Sequence, residues 1–454
     1  MISTKRPLVV VALTSTLNAF AAAEPVTTPQ AAPALTVDYA ITIAHQRDPW
    51  ISASQSRESS LQAEAISAST MPDPRLSFSL ANIPVDSFSL RDEGMSQVVI
   101  GASQIIPRGN TLALLQQQKN QLAAQHPSLR RERRAKVASI VAELWLNIYL
   151  IQESERLISE ELPLFQQLAS LTDARYRSAL GKTRQADVIR AQLEYTKLRD
   201  RLLDLAKQKK GALQKLGEWI GVERLPTEVD IQSEVFQLYQ PRILEGLDGA
   251  PHYQRALVEN HPSVQAFDAL VGASHTQTEL AKQRYRPEWM ITAQYGIRDT
   301  DPTGNDRSDL FSVGVSFDLP LFTSNRQDKD VAAAIANTKA LESDRERMLR
   351  SLEAMLLSSV EEWRQVSARV DLYLRSILPE SRMTKEAARS AYMHDDGDFP
   401  ELVRAQIAEL NAKLELVNLQ VTERKYLVQL NYILVGAMNG TTNHSAASEG
   451  EQDE

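Results

Sequence analysis

The run Trp289-Met290-Ile291-Thr292-Ala293-Gln294-Tyr295-Gly296-Ile297 sets Trp289, Ile291, Ala293, Tyr295 and Ile297 against Met290, Thr292, Gln294 and Gly296. In an extended chain those two sets face opposite ways. A second run repeats the pattern: Phe311, Val313, Val315, Phe317 and Leu319 alternate with Ser312, Gly314, Ser316 and Asp318. Stretches of about 9–11 residues, large and apolar on one face and small or polar on the other, are the pattern of membrane-spanning barrel strands. A half-buried strand on a soluble core has the same period of two, so one strand alone decides nothing. The surroundings decide. Upstream, Leu76, Phe78 and Leu80 alternate with Ser77, Ser79 and Ala81, and Val98, Ile100 and Ala102 open a less regular partner. Each pair is flanked by long helical runs, which leaves no other sheet for it to join. Four strands have two open edges, and lipid does not tolerate unpaired backbone groups. Closure takes at least about 8 strands, so several chains must share one barrel. Phe78, Trp289, Tyr295, Phe311 and Phe317 are then its lipid-facing aromatics.

Moving outward, the chain repeats itself. Pro49 and Pro74 recur as Pro262 and Pro287, and Gly101 and Pro107 as Gly314 and Pro320, all at an offset of 213. Val188-Ile189-Arg190-Ala191-Gln192 faces Leu402-Val403-Arg404-Ala405-Gln406 at 214. Such a fixed offset marks a duplication. The first copy occupies 24–221 with its hairpin at 75–107, and the second 252–436 with its hairpin at 288–320. Residues 222–251 link them, and 437–454 form an acidic tail expected to be disordered. Each copy reads as a helical segment (Val37 to Thr70; Pro251 to Arg284), two strands, a long helical region (110–178; 325–392) and a closing helix. A helix of about 65 residues reaches on the order of 100 Å, even if Pro127 and Pro163 bend it. The closing helices carry stripes spaced four and three apart, Leu198, Leu202, Leu205, Ala212 and Leu216, and Leu410, Leu414, Val417, Val421 and Val428. These are seams for partner helices. The second helix-to-helix tip reads as two residues longer than the first.

Composition narrows the class. Of 454 residues, 50 are Lys or Arg and 58 Asp or Glu, a net charge of −8, which argues against a nucleic-acid partner. With no Cys there is no disulfide, thiolate nucleophile or thiol-linked lipid. Lys5 and Arg6, the apolar run Leu8 to Leu17 and Ala21-Ala22-Ala23 read as an export signal over 1–23, too short and polar for a membrane anchor. Catalysis finds no motif. The seven histidines lack His-Glu-x-x-His spacing. Gly181-Lys182-Thr183 lacks the earlier phosphate-loop glycine, since Tyr176 stands there. Asp299-x-Asp301 with Gly304 is broken as a calcium loop by Pro302 and by Leu310 at its twelfth position. No cofactor, metal or enzymatic activity is expected.

In this order the landmarks carry a resemblance. The chain resembles the TolC-type outer membrane factors, the outer membrane efflux proteins. The likeness rests on the duplication, on Met71-Pro72-Asp73-Pro74 and Arg284-Tyr285-Arg286-Pro287 leading into strands, and on Gln104-Ile105-Ile106-Pro107 and Asp318-Leu319-Pro320 closing hairpins. The Arg-Ala-Gln helix after each tip adds to it. The stretch from Ala81 to Phe88 is similar to members paired with heavy-metal or copper pumps. The resemblance implies a mainly α fold with membrane β structure: duplicated helix hairpins in a periplasmic α-barrel, and four strands per chain in a trimeric, 12-stranded outer-membrane β-barrel. It implies a homotrimer with the linker at an equatorial collar, outer-membrane lipid around it, and as partners a periplasmic adaptor and an inner-membrane pump of the RND type.

Two tips follow the long helices. One is basic, with Arg175, Arg177, Gly181, Lys182 and Arg184, and with Asp187 close behind; the other holds His394, Asp395, Asp396, Gly397 and Asp398. In the family such tips lie at the inward end of the duct, where it narrows and meets the adaptor. Three copies of the Asp cluster would favour cations, and the basic tip would latch the closed state or contact the adaptor. Charge runs also simply solvate turns, and Met393-His394 reads as surface residues more readily than as a soft-metal site. The leading function is an exit duct for efflux. Type I protein secretion and a soluble periplasmic coiled-coil scaffold are the alternatives.

Overall fold

Pro49 and Pro262, two of the landmarks that reveal the duplication, each break a helix. The computed structural model describes residues 35–178, 184–238, 247, 251–394 and 396–437. The export signal read over 1–23 lies outside these residues, as does the acidic tail beyond Ala437. Helix α1 spans Val37–Arg47 and α2 Pro49–Ala68, so the single segment expected over Val37 to Thr70 is in fact two. A residue before proline is pushed out of the helical region. Asp48 takes φ −72° and ψ 105° and caps α2, its carboxylate accepting the Trp50 N–H at 3.0 Å. The second copy breaks in the same place, between α5 (Pro251–Glu259) and α6 (Pro262–Gln283). There the His261 ring accepts the Ser263 N–H at 3.2 Å.

Helix α3 (Thr111–Arg177) runs through Pro127 and Pro163 for 67 residues. Its counterpart, the long helical region read over 325–392, is helical throughout but interrupted by a π turn. Helix α7 (Gln327–Leu372) passes through a π turn at Tyr373–Ile377 into α8 (Leu378–Met393). Pro379 has no N–H for the Arg375 carbonyl and its ring crowds that carbonyl; the widened turn falls at this point. The closing helices are α4 (Gln185–Ile220) and α9 (Phe399–Ile433). All five stripe residues of α9 are buried. Val421 and Val428 pack with Trp145 and Leu146 of α3 and Leu216 of α4, so one core joins the two copies. Residues 222–238 bind to the same core. Val229 and Phe236 are buried in it, and the Trp145 Nε1–H donates to the Asp230 carbonyl at 2.8 Å. Gln152 holds the Val229 backbone through both ends of its amide, at 3.1 and 3.0 Å.

The strands form one antiparallel sheet in chain order: β1 (Arg75–Ala81), β2 (Gln97–Ile106), β3 (Trp289–Ile297) and β4 (Leu310–Phe317). The β2–β3 pairing joins the copies, and β1 and β4 are the two edges.

Candidate functional site: the sheet faces and the helix tips

Register determines what each face of the sheet presents. Phe78, Ile100, Tyr295 and Phe311 stand opposite one another across all four strands. Trp289 and Phe317 pair farther down, ring centroids 4.6 Å apart. Six residues separate Trp289 from Tyr295, about 20 Å of extended chain, close to the height of the apolar band of an outer-membrane barrel. Phe78, Trp289, Tyr295, Phe311 and Phe317 are all exposed, as are Leu76, Leu80, Val313 and Val315 between them. The apolar face therefore packs on nothing among the described residues.

The other face is small and polar: Ser77, Gly101, Gln294 and Ser312 form one row, and Ser103, Thr292 and Gly314 another. A Cβ on Gly101 would lie 2.6 Å from the Ser77 hydroxyl, and one on Gly314 2.8 Å from that of Thr292, so these rows are close-fitted. Beyond the strand ends the two connecting loops are tied together. Arg91 pairs with Asp299 at 2.9 Å, and Arg307 donates to the Glu93 and Arg91 carbonyls. The Asp301 carboxylate is spent on its own turn, accepting from Thr303 and Asn305. Those bonds hold its pKa down to about 2.

At the opposite end, α3 and α4 are joined by residues 178–184, and α8 and α9 by residues 394–398. The second tip is thus two residues shorter, not longer. The extra length lies farther upstream, in the connector 318–326 that replaces the shorter 107–110 of the first copy. Gly181 and Lys182 of the basic tip and Asp395 of the acidic tip lie outside the described residues. Arg177 pairs with Asp173 of its own helix at 2.9 Å, and Arg184 is exposed. Asp187 is buried, and its carboxylate accepts the Arg184 N–H at 2.9 Å, fixing the start of α4. His394, Asp396 and Asp398 are exposed, and His394 Nδ1 meets the Ser390 carbonyl at 2.8 Å. Gly397 is needed by space: a Cβ there would come within 2.8 Å of that of Ala391.

What joins the tips is aromatic, a feature the sequence reading missed. The Arg175 guanidinium lies 4.7 Å from the centre of the Tyr392 ring, which is edge-on to Phe399. Tyr392, Phe399, Leu402 and Val403 form a small core with Ala191 of α4. The signal was in the sequence, since Tyr392 and Phe399 bracket the acidic run. A second missed cluster lies where sheet meets helices. Arg108 pairs with Asp318 at 2.5 Å, next to the landmark prolines 107 and 320, and Arg284 with Asp330 at 2.5 Å.

This sequence and geometry match a known family. The model of the outer membrane efflux protein family matches residues 40–222 and 253–434, one stretch in each copy. The chain belongs to that family. Solved structures share its fold. CusC, described in terms of transmembrane channel formation, superimposes with a TM-score of 0.73 at 15% identity, over 88% of this chain and 92% of its own. The Campylobacter jejuni outer membrane channel CmeC gives 0.71 at 13%, over 88% and 85%. The outer membrane protein VceC of Vibrio cholerae gives 0.70 at 15%, over 88% and 95%. No curated protein matches the chain. At 13–15% identity these likenesses show the fold alone and do not test the metal-pump likeness of residues 81–88. Among the described residues of this efflux-family chain, no helix is long and apolar enough to cross a membrane.

Proposed function

We propose that the chain is the outer-membrane exit duct of a tripartite efflux system, working as a homotrimer that pools twelve strands. It would receive its solute from an inner-membrane pump of the RND type through a periplasmic adaptor. One observation carries this reading: a four-stranded sheet with an unpacked apolar face and two open edges. The edges ask for further strands, and the apolar face asks for lipid. The helices support the same assembly. Ile189, Leu193 and Leu203 of the first hairpin and Leu357, Leu374 and Met383 of the second are exposed, apolar flanks that a neighbouring copy would cover. A soluble scaffold would pack its sheet on protein, and nothing among the described residues covers this one. Membership of the outer membrane efflux protein family favours efflux over type I protein secretion. In this reading Asp395, Asp396 and Asp398 line the constricted periplasmic end and favour cations, with heavy-metal ions or small toxic compounds as cargo. Arg175, Arg177, Lys182 and Arg184 hold the closed tip or meet the adaptor.

The absence of Cys makes the assembly directly testable. Ser79→Cys on β1 combined with Ser312→Cys on β4, and with Ser316→Cys as a register alternative, should give disulfide-linked trimers in outer membranes under oxidising conditions. Monomers in every pairing, recovered from the soluble fraction, would refute the duct. Replacing the three tip aspartates by Asn should lower cation-over-anion permeability in planar bilayers, and an unchanged ratio would remove them from the gate.

A further inference from the structure

The two copies differ most where strand gives way to long helix. In the first copy residues 107–110 suffice to connect β2 to α3; in the second, residues 318–326 connect β4 to α7. Aligned on Pro107 and Pro320, the pair Arg108-Gly109 of the first copy is Leu321-Phe322 in the second. The longer connector is thus greasy where its counterpart is basic. Leu319, Leu321 and Phe322 are 63%, 72% and 87% exposed, and no other large apolar side chain among the described residues is as exposed as Phe322. Backbone hydrogen bonds hold the connector in this shape. The Leu321 N–H donates to the Leu319 carbonyl at 2.9 Å, and the Thr323 carbonyl accepts from Arg326 and Asp328 at 3.1 and 3.0 Å. A contiguous exposed apolar patch marks a surface that something else covers.

Two observations say what covers it. The first is continuity. By strand alternation Leu319 falls on the side of Phe317, so the connector prolongs the apolar face of the sheet past the Trp289–Phe317 pair that ends it. On the duct reading this is where the acyl chains of the periplasmic leaflet meet their headgroups, the level at which aromatic side chains gather. The second is charge. The carboxylates around the connector are already engaged. Asp318 and Glu288 lie 2.5 and 4.0 Å from Arg108, Asp330 pairs with Arg284 at 2.5 Å, and Asp328 accepts the Tyr285 hydroxyl at 2.5 Å. Arg326 and Lys329, three residues apart at the start of α7, are exposed, and no described carboxylate pairs with either. Cations left over beside an apolar hook suit a phosphate that arrives with acyl chains.

We infer that the β4–α7 connector is a binding site for an anionic phospholipid, with Leu319, Leu321 and Phe322 lying among its acyl chains while Arg326 and Lys329 take the headgroup phosphate. The inference rests on the apolar sheet face meeting lipid, and it adds selection among lipids to a surface that would otherwise be merely greasy. Only the second structural copy carries the hook, so each chain would hold one site and a trimer three.

The test uses the full-length trimer in detergent, titrated with phosphatidylglycerol or with phosphatidylcholine of identical acyl chains, and native mass spectrometry counts the lipid retained. Phosphatidylglycerol should be retained at about 25-fold lower concentration, about fivefold for each cation. Arg326→Gln and Lys329→Gln should each remove about fivefold of that preference and leave phosphatidylcholine unaffected, whereas Phe322→Ser should weaken both lipids alike. Because the chain has no Cys, a spin label can also be placed on Phe322→Cys alone. In bilayers it should collide with oxygen more often than with a water-soluble nickel chelate. Trimers that retain both lipids equally, a preference that survives both Gln variants, or a label reached chiefly by nickel would overturn the site and leave the duct intact. So would Phe322→Ser trimers that come apart, since Phe322 would then lie between copies. A parent chain that forms no trimer would instead overturn the duct reading on which the site rests.

Discussion

Asp48 and His261 occupy the same place in the two copies, each just before the proline that opens a helix, and each satisfies an N–H of the first turn. They do so by different chemistry. Burial pushes the Asp48 carboxyl up, but the Arg133 guanidinium at 2.6 Å and the Trp50 N–H outweigh it, and the net shift is down. His261 has no exposed surface, lies edge-on to Tyr432 at 5.4 Å, and burial lowers its pKa from 6.5 to about 4. The Tyr432 hydroxyl in turn donates to Glu132 at 2.9 Å. A histidine kept neutral by folding contributes fully above its unfolded pKa, and that contribution is lost as pH falls from 6.5 toward 4. The loss is about 3 kcal/mol for this one group. His261→Asn keeps a capping side chain and removes the titration. Its urea midpoint should therefore change less than the parent's between pH 7 and pH 4.5, and equal slopes would exclude His261 as the acid-labile group. Asp48→Ala, which leaves Arg133 without its partner, is expected to cost about 2–4 kcal/mol at neutral pH, read by thermal melting of the helix signal. Sequence made the two prolines conspicuous through their shared offset. It did not show that the residues before them are caps, because capping depends on whether the side chain is turned back and buried.

At the scale of elements the heptad stripes were legible. Leu410, Leu414, Val417, Val421 and Val428 are apolar at a recognisable spacing, and all became core. The charged residues between them were not legible. Glu161 and Glu409 look like ordinary surface acids, yet both are buried in a chain of alternating charge. Lys413 bridges them at 2.9 and 3.2 Å, and Lys385 closes the far side of Glu409 at 2.6 Å. This chain ties α3 of the first hairpin to α8 and α9 of the second. Burial raises the Glu409 pKa, but the two lysines bring it below the ordinary value, so its contribution is present at neutral pH and fades on acidification through its lowered pKa. Lys413→Met leaves the buried Glu161 carboxylate with only the Gln406 amide, while Glu409 keeps Lys385, and should destabilise the chain by about 3 kcal/mol at pH 7. Adding Glu161→Gln should recover part of that loss. Urea titrations of the single and double variants measure both, and a single variant as stable as the parent would show the network to be solvent-screened. The π turn at Tyr373–Ile377 was equally hidden, although Pro379 was visible, because α3 carries Pro127 and Pro163 without dividing.

For the whole molecule, the governing fact is that a sheet of four strands exposes one greasy and one polar face and ends in two open edges. That much could be read from alternation alone, since a period of two survives any tertiary context. Which residues face each other across the sheet could not, because register depends on pairings such as that of Val98 with Ile297 across 199 positions of chain. Neighbouring residues of β4 turn this into a decisive contrast. Ser312 lies in the polar row with Ser77, Gly101 and Gln294, whereas Val313 faces Ala293 on the apolar side and is 63% exposed. An arginine facing lipid near the middle of a barrel costs about 2–4 kcal/mol, and three-fold assembly would impose that cost three times in one apolar band. An arginine in the bore keeps its water and adds only positive charge to the wall. Val313→Arg should therefore abolish the outer-membrane oligomer, while Ser312→Arg should assemble normally and conduct fewer cations. Fractionation followed by bilayer recording separates the two, and identical behaviour of these adjacent substitutions would mean that the alternation does not divide lipid from water.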